Sequence, residues 1–294
     1  MKNLLILVFL VGSVMFAQEA FRPDRPIACT SCDEWNARQP PVRVFGNTYY
    51  VGTVGLSSVL ITSDAGHILI DGGLSQSAAL IEANIRALGF QLRDVRLILN
   101  SHEHYDHCAG IAALQRASGA RVAASPSAAR AFQLGYPTPE DPQYESGRKL
   151  PYPPIAKVET IADGATLKVG ALSITAHFTP GHTPGATSWS WRSCEGSRCV
   201  NIVYSDSLNA VSDDGFKFTG HPPLVETFRR SISRVEQLPC DIVIPPHPGF
   251  INLSDKAARM KAKPQDNPFV DSNACRTYAA LARKRLEARV AEER

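Results

Sequence analysis

The chain from residue 42 to 71 alternates short apolar runs with breaks at Gly, Asn and Asp. Four runs are rich in β-branched and aromatic residues: 42–45, 49–51, 58–62 and 67–70. This pattern is typical of β-strands joined by tight turns. Apolar residues then recur at helical spacing, which predicts a helix with Ser75 as its N-cap and Gly89 as its stop.

The rest of the chain again orders strands before helices. Further strands are predicted at 95–99, 121–124, 158–161, 166–169, 172–178, 186–191, 200–205 and 241–244. Further helices are predicted at 111–117, from Pro126, at 224–238 and from 273 to the end. Residues 135–154 contain six Pro and two Gly, which predict a long loop without regular elements. Two such halves favour an α/β fold of two packed sheets with helices on both outer faces.

The first residues read as a targeting segment. Lys2 precedes an apolar run from Leu4 to Phe16, and the small residues Ala17 and Ala20 follow. This order predicts a signal peptide at 1–17, a single domain at 18–294 and export to the periplasm, with no membrane attachment after cleavage. Residues 18–41 are expected to form an extended arm. The net charge of +3 is too small to indicate a nucleic-acid partner.

Export changes how the seven cysteines are interpreted, because disulfides persist in an oxidising compartment. Cys194 and Cys199 are close enough in sequence to close a short ring, and Cys240 and Cys275 can tie the C-terminal helix to the body. Cys29 and Cys32 favour a local disulfide or two thiols over a metal site. Cys108 is then left over, and the connectivity stays open.

A metal site is indicated by the segment Asn100-Ser101-His102-Glu103-His104-Tyr105-Asp106-His107. It places three imidazoles and a carboxylate within six positions, directly after a predicted strand, in a chain with only eight His. Imidazole and carboxylate are ligands that suit zinc. His102 and His104 can share one ion, while Asp106 and His107 can turn toward a second.

This H-x-H-x-D-H motif resembles the signature of the metallo-β-lactamase superfamily, whose members are αββα four-layer sandwiches. The segments TPGHTPG at 179–185 and IPPHPG at 244–249 resemble its later motifs, and Asp71 resembles its structural Asp. From residue 46 to Cys275 the chain is similar to subclass B3, notably at 63–67, 84–90, 187–189, 204–208 and 241–248. The resemblance implies two Zn²⁺ per chain, with the first held by His102, His104 and His182 and the second by Asp106, His107 and His247. It also implies the disulfides Cys194–Cys199 and Cys240–Cys275.

The same resemblance implies a β-lactamase that confers antibiotic resistance by opening penicillins, cephalosporins and carbapenems with a metal-bound hydroxide. Asp106 would orient this nucleophile, and Ser207 and Asn209 would hold the carboxylate of the small-molecule substrate. Gln143, in the loop 135–154, is expected to cover the ligand. Asn209 departs from the Ser or Thr of many relatives, and Cys108 from the usual Ala. We expect a monomer.

Two alternatives remain at this stage. A lactonase or thioesterase of the same fold would use a bridging Asp, which Asp206 can supply. A zinc-binding protein without catalysis would surround each ion with four protein ligands, whereas six ligands for two ions favour an enzyme.

Overall fold

The computed structural model describes residues 21–294, so the predicted signal peptide at 1–17 lies outside the described residues. The strands are β1 Val42–Phe45, β2 Thr48–Tyr50, β3 Val59–Ile61, β4 His67–Ile70, β5 Val95–Leu99, β6 Arg121–Ala124, β7 Val158–Thr160, β8 Thr166–Val169, β9 Leu172–Phe178, β10 Thr187–Glu195, β11 Arg198–Tyr204 and β12 Ile242–Ile244. The helices are α1 Cys32–Trp35, α2 Ser77–Ala87, α3 Tyr105–Cys108, α4 Ile111–Ser118, α5 Pro126–Leu134, α6 Tyr144–Gly147, α7 Pro222–Gln237, α8 Leu253–Ala262 and α9 Ala274–Glu292. Three 3₁₀ turns lie at Leu92–Asp94, Phe218–Gly220 and Pro248–Ile251.

The strands form a seven-stranded sheet in the order β1 to β7 and a five-stranded sheet in the order β12-β11-β10-β9-β8. Side chains alternate across the first sheet: Ile68 and Leu97 face the second sheet, whereas Leu69 and Ile98 pack under the helices α2, α4 and α5. The outer face of the second sheet packs against α7 and α9, which contribute Phe228 and Leu286 among others. The predicted αββα four-layer sandwich is thus confirmed.

Most element boundaries agree with the sequence pattern, but three predictions were wrong: the N-cap of α2, the extended arm at 18–41 and the loop without regular elements at 135–154. Helix α2 begins at Ser77 with Gln76 as its N-cap, so Ser75 is not the cap. The Oγ of Ser77 accepts a hydrogen bond from the Leu74 N–H and closes the turn before the helix. The arm at 18–41 also contains the one-turn helix α1, with the Cys29–Cys32 disulfide across its start.

Two other helices escaped prediction for physical reasons. Helix α6 lies in the Pro-rich loop, and the N–H groups of its second and third residues, Glu145 and Ser146, donate to the distant carboxylate of Asp213. Helix α8 buries only Leu253, so it has no apolar stripe that a sequence pattern could reveal. Both helices depend on contacts outside their own sequences.

The topology gathers loops with polar side chains at one edge of the sandwich. Strands β4 and β5 are parallel, as are β11 and β12, so their carboxyl ends point the same way within each sheet. Asp71 follows β4, the segment 100–107 follows β5, Asp206 follows β11 and His247 follows β12. Among residues 21–294, no helix is both long enough and apolar enough to cross a membrane.

Disulfides join Cys29 to Cys32, Cys194 to Cys199 and Cys240 to Cys275. The remaining cysteine, Cys108, is a buried thiol. The last disulfide holds the start of α9 to the end of the loop before β12, across 35 residues, whereas Cys194–Cys199 spans only 5. A cross-link over more residues removes more entropy from the unfolded chain.

Replacing Cys240 and Cys275 together by Ala should therefore lower the free energy of unfolding by about 4 kcal/mol in the chain-entropy description. The matched double replacement of Cys194 and Cys199 should cost about 2 kcal/mol. Urea unfolding of both variants and the native protein measures the two losses. Equal losses would show that α9 is held by its packing alone.

Candidate metal centre

Three imidazoles form a compact group at this edge: His102, His104 and His182. Each offers a ring nitrogen within 4.8 Å of the other two, and all three residues are buried. The opposite nitrogen of each ring is fixed from outside the group. His102 Nδ1 lies 2.8 Å from Asp206 Oδ1, His104 Nε2 lies 2.9 Å from Asp141 Oδ2, and His182 Nδ1 lies 2.9 Å from the Asn209 carbonyl oxygen. This leaves His102 Nε2, His104 Nδ1 and His182 Nε2 as the inner nitrogens.

A second group consists of Asp106, His107 and His247. Asp106 Oδ2 lies 3.2 Å from His107 Nε2 and 3.5 Å from His247 Nε2, and the two Nε2 atoms are 3.3 Å apart. A tetrahedral ion with bonds of about 2.0–2.1 Å keeps its ligand atoms about 3.3 Å apart. His102, Asp106 and His107 also offer atoms within 4.8 Å of one another. Asp106 therefore lies at the junction of the two groups.

The donor atoms fit a divalent metal. His102 Nε2 is buried and has no hydrogen-bond partner among residues 21–294, although a buried polar atom normally has one. Nitrogen and carboxylate oxygen donors suit zinc and related ions. Four of the rings have a hydrogen bond on their outer nitrogen, the arrangement that orients metal-binding imidazoles in proteins.

Electrostatics favours the metal-binding protonation states at three of these residues. Burial, followed by repulsion from His104, lowers the pKa of His182 to about 3, and burial with repulsion from His107 lowers that of His102 well below its usual value. Both rings are thus neutral, as metal binding requires. Burial alone would raise the pKa of Asp106, but His107 and His247 outweigh it and hold the pKa well below its usual range.

His104 behaves differently because of its partner. Burial lowers its pKa, but the carboxylate of Asp141 outweighs burial and raises the pKa to about 9. The Nε2–H donates to Asp141, so the second proton of the cation is on Nδ1, the nitrogen that faces the group. A metal binding at His104 therefore displaces that proton.

Asp71 anchors the segment that carries the ligands. Its Oδ1 accepts the N–H of Ser101 at 2.6 Å, and its Oδ2 accepts the hydroxyls of Ser101 and Tyr204, both at 2.7 Å. It adopts a left-handed conformation with φ of 61°, which few residues other than Gly and Asn or Asp tolerate. Burial raises its pKa to about 6, although these donors oppose the change. Asp71 is thus the structural support that the sequence predicts.

Glu103 connects the two ligand-bearing loops of the first group. This fully buried carboxylate accepts the Thr183 hydroxyl at 2.7 Å and the Gly185 N–H at 2.9 Å. It therefore holds the loop of His182 against the loop of His104. Burial raises the pKa of Glu103 to about 7. Sequence reasoning assigned no role to this residue, although it lies inside the motif.

The remaining predicted site residues have distinct places. Asp206 is fully buried behind His102, on the side of the ring away from the first group, so it orients that ligand instead of bridging the two groups. Ser207 and Asn209 line an open cleft of about 660 Å³ beside the metal centre. Gln143 is not among the cleft-lining residues of the described chain. Its N–H instead donates to Asp141 Oδ1 at 2.7 Å.

Besides Glu103, two residues near the centre were missed by sequence reasoning. Asp141 lies in the Pro-rich loop and contacts His104, which is 37 positions away in sequence. The only sequence signal for this contact was the presence of a carboxylate in that loop. Trp35 ends α1, and its ring centroid lies 5.3 Å from that of His247. Trp35 also lines the cleft, so the N-terminal arm forms one wall of it.

Comparison with known proteins agrees with this geometry. The sequence profile of the Metallo-beta-lactamase superfamily matches residues 51–247. A hydroxyacylglutathione hydrolase from Anaeromyxobacter dehalogenans (strain 2CP-C) is 31% identical over 142 residues, covering 48% of this chain and 44% of that protein. The chain spans about half the length of the curated relatives it matches.

Solved structures match over much more of the chain. The Rm3 metallo-beta-lactamase is 51% identical with a TM-score of 0.87, covering 90% of this chain and 99% of that one. MEM-A1, a subclass B3 metallo-beta-lactamase isolated from a soil metagenome library, is 47% identical with a TM-score of 0.85, covering 88% and 98%. The chain therefore belongs to the metallo-beta-lactamase superfamily, as a metal-dependent hydrolase whose structural relatives include subclass B3 enzymes.

Proposed function

We propose that this protein is a di-zinc β-lactamase that hydrolyses the amide bond of penicillins, cephalosporins and carbapenems and so confers antibiotic resistance. The observation that carries the proposal is the pair of three-residue groups that share a junction at Asp106 beside a cleft lined by Ser207. Three protein ligands per ion leave a position for water or substrate, which is typical of catalytic zinc. Relatives named metallo-beta-lactamases at 51% and 47% identity support the substrate class.

The chain's own residues have separate tasks in this reaction. When bound, zinc supplies Lewis acidity and lowers the pKa of water toward neutrality. Asp106 stays ionised and directs Oδ2 at His107 and His247, which leaves Oδ1 to accept a hydrogen bond from the attacking water. Asp106 thereby orients the nucleophile.

The cleft residues position the substrate. Asn209 Nδ2 donates to Ser207 Oγ at 3.3 Å, so the Ser207 hydroxyl keeps its own hydrogen for a substrate carboxylate. Asn209 is thus compatible with the role that Ser or Thr has in relatives. The apolar wall formed by Trp35, Val211 and Phe250 lies on the same cleft and can cover a ring system.

A lactonase or thioesterase is the second candidate, because curated relatives are named hydroxyacylglutathione hydrolases at 29–31% identity. A bridging Asp206 would favour it. The position of Asp206 behind His102 argues against such a bridge and supports the β-lactamase. A zinc-storing protein is disfavoured by the open cleft beside the ligands.

We also propose that the chain acts as a periplasmic monomer after loss of residues 1–17. Three disulfides support an oxidising compartment. Sizing the secreted protein and reading its mature N-terminus test both parts.

The zinc-loaded protein should hydrolyse a cephalosporin and a carbapenem. A chelator should abolish turnover, because the proposed reaction needs the zinc ions that the chelator removes. Asp106→Asn should lower kcat by about 100-fold or more, in the range of lost acid–base assistance. Absorbance assays of β-lactam ring opening measure both, with a lactone and a thioester run in parallel.

The matched control is His221→Ala, which changes an exposed histidine stacked on Phe216 and should leave the rates unchanged. Turnover of the lactone or thioester with neither β-lactam opened would refute the substrate assignment. Full activity after metal removal would refute the zinc mechanism.

Asp141→Asn should weaken zinc binding by about 10- to 100-fold, because the carboxylate that orients His104 loses its charge. Competition with a chromophoric chelator measures the affinity. Glu140→Gln is the control, since Glu140 is the adjacent residue and is exposed beside Arg130. Native zinc affinity in the Asp141 variant would show that this ion pair does not position the ligand.

A further inference from the structure

Arg285 stands apart from its neighbours on α9 because it has no acidic partner. Arg283 pairs with Glu236 and Arg289 pairs with Glu293, both at 2.6 Å. Arg285 forms no salt bridge within the described chain, and its Nε and Nη2 atoms are buried without a hydrogen-bond partner among residues 21–294. Buried guanidinium nitrogens are normally paired, so this one calls for an explanation.

The helix itself cannot neutralise Arg285. The positions three and four residues away on α9 hold no carboxylate: they are Leu281, Ala282, Ala288 and Arg289. The hydroxyl of the nearby Tyr278 points instead toward the Asp206 carbonyl oxygen, at 3.4 Å. The positive charge therefore lacks a counter-ion from its own element.

The guanidinium lies on the cleft of the metal centre. Arg285 lines this cleft together with His182, Ser207, Asn209 and His247, and it is the one Arg or Lys among the lining residues that the structure describes. Its guanidinium carbon lies 4.8 Å from the centroid of the Phe250 ring. A cation–π contact does not use the N–H groups as hydrogen-bond donors, so they keep their capacity to donate.

We propose that Arg285 binds the carboxylate of the substrate together with the hydroxyl of Ser207. The inference rests on the proposed β-lactamase function, because those substrates carry a carboxylate on the ring fused or joined to the lactam. Ser207 and Asn209 are uncharged, so Arg285 supplies the charge complement that they lack. A planar guanidinium can donate two parallel hydrogen bonds to one carboxylate, which an ammonium group cannot do.

The first test separates binding from chemistry. With the zinc-loaded enzyme, Arg285→Gln should raise KM for a cephalosporin by about 10- to 100-fold, the range for a lost hydrogen bond between charged groups, and leave kcat within about 3-fold. For the methyl ester of the same cephalosporin, native and variant enzymes should have equal kcat/KM. Arg285→Lys should recover part of the loss, because it keeps the charge without the bidentate geometry.

The matched control is Arg283→Gln, two positions earlier on α9, whose salt bridge with Glu236 lies away from the cleft lining. It should leave KM for the cephalosporin unchanged. An Arg285→Gln variant that loses activity equally on the acid and the ester would show a structural role and overturn the proposal. If the melting temperature shows that Arg285→Gln does not fold, the Arg285→Lys variant is tested with the acid and the ester in its place. A ratio of variant to native kcat/KM that is the same for the acid and the ester would then overturn the proposal.

A binding experiment tests the contact between Arg285 and a carboxylate without any turnover of substrate. Mercaptoacetate and 2-mercaptoethanol both offer a thiolate to zinc, but only the first carries a carboxylate. Calorimetry with zinc-loaded protein should show that Arg285→Gln weakens mercaptoacetate by about 10-fold or more and leaves 2-mercaptoethanol unchanged. Equal effects on both thiols, or none on either, would overturn the role of Arg285. If the native protein opens no β-lactam, but Arg285→Gln still weakens the binding of mercaptoacetate and not of 2-mercaptoethanol, only the proposed function is refuted.

Discussion

The rest of the structure depends on one constraint: imidazoles and carboxylates are buried away from water at the edge where the two sheets meet. A buried polar group without a partner is unfavourable, and four of the five imidazoles at this edge have a hydrogen bond on their outer side. His102 takes Asp206, His104 takes Asp141, His182 takes the Asn209 carbonyl, and His247 takes the Gly55 carbonyl. Each bond fixes the ring orientation and leaves the inner nitrogen for a metal.

These outer partners explain why the metal centre requires the whole fold. Asp206 follows a strand of the second sheet, while Asp71 follows a strand of the first and accepts the hydroxyl of Tyr204 from the second. Glu103 joins the loops of both halves through Thr183 and Gly185. Loss of packing between the sheets would therefore separate ligands from their orienting partners, and the stability of the sandwich and the affinity for metal are coupled.

The sequence predicts the parts that depend on local pattern. Strand periodicity predicts most strands of both sheets, and the contiguous spacing of residues 102–107 predicts a metal site without reference to the fold. Asp141 could not be assigned to His104, because nothing local links positions 37 apart in a Pro-rich loop. Backbone carbonyls such as that of Gly55 carry no side-chain signal at all. Helix α8 was missed because it buries a single residue.

Asn209 shows how the metal centre and the substrate cleft can be separated. Its backbone carbonyl orients His182, whereas its side chain bonds to Ser207 and lines the cleft. A change of side chain at this position leaves the backbone bond in place, so substrate contacts can vary while the ligand stays oriented. Arg285 and Phe250 also line the cleft, and neither side chain belongs to the two groups of candidate metal ligands. The proposed function therefore assigns substrate preference to side chains that the metal centre does not need.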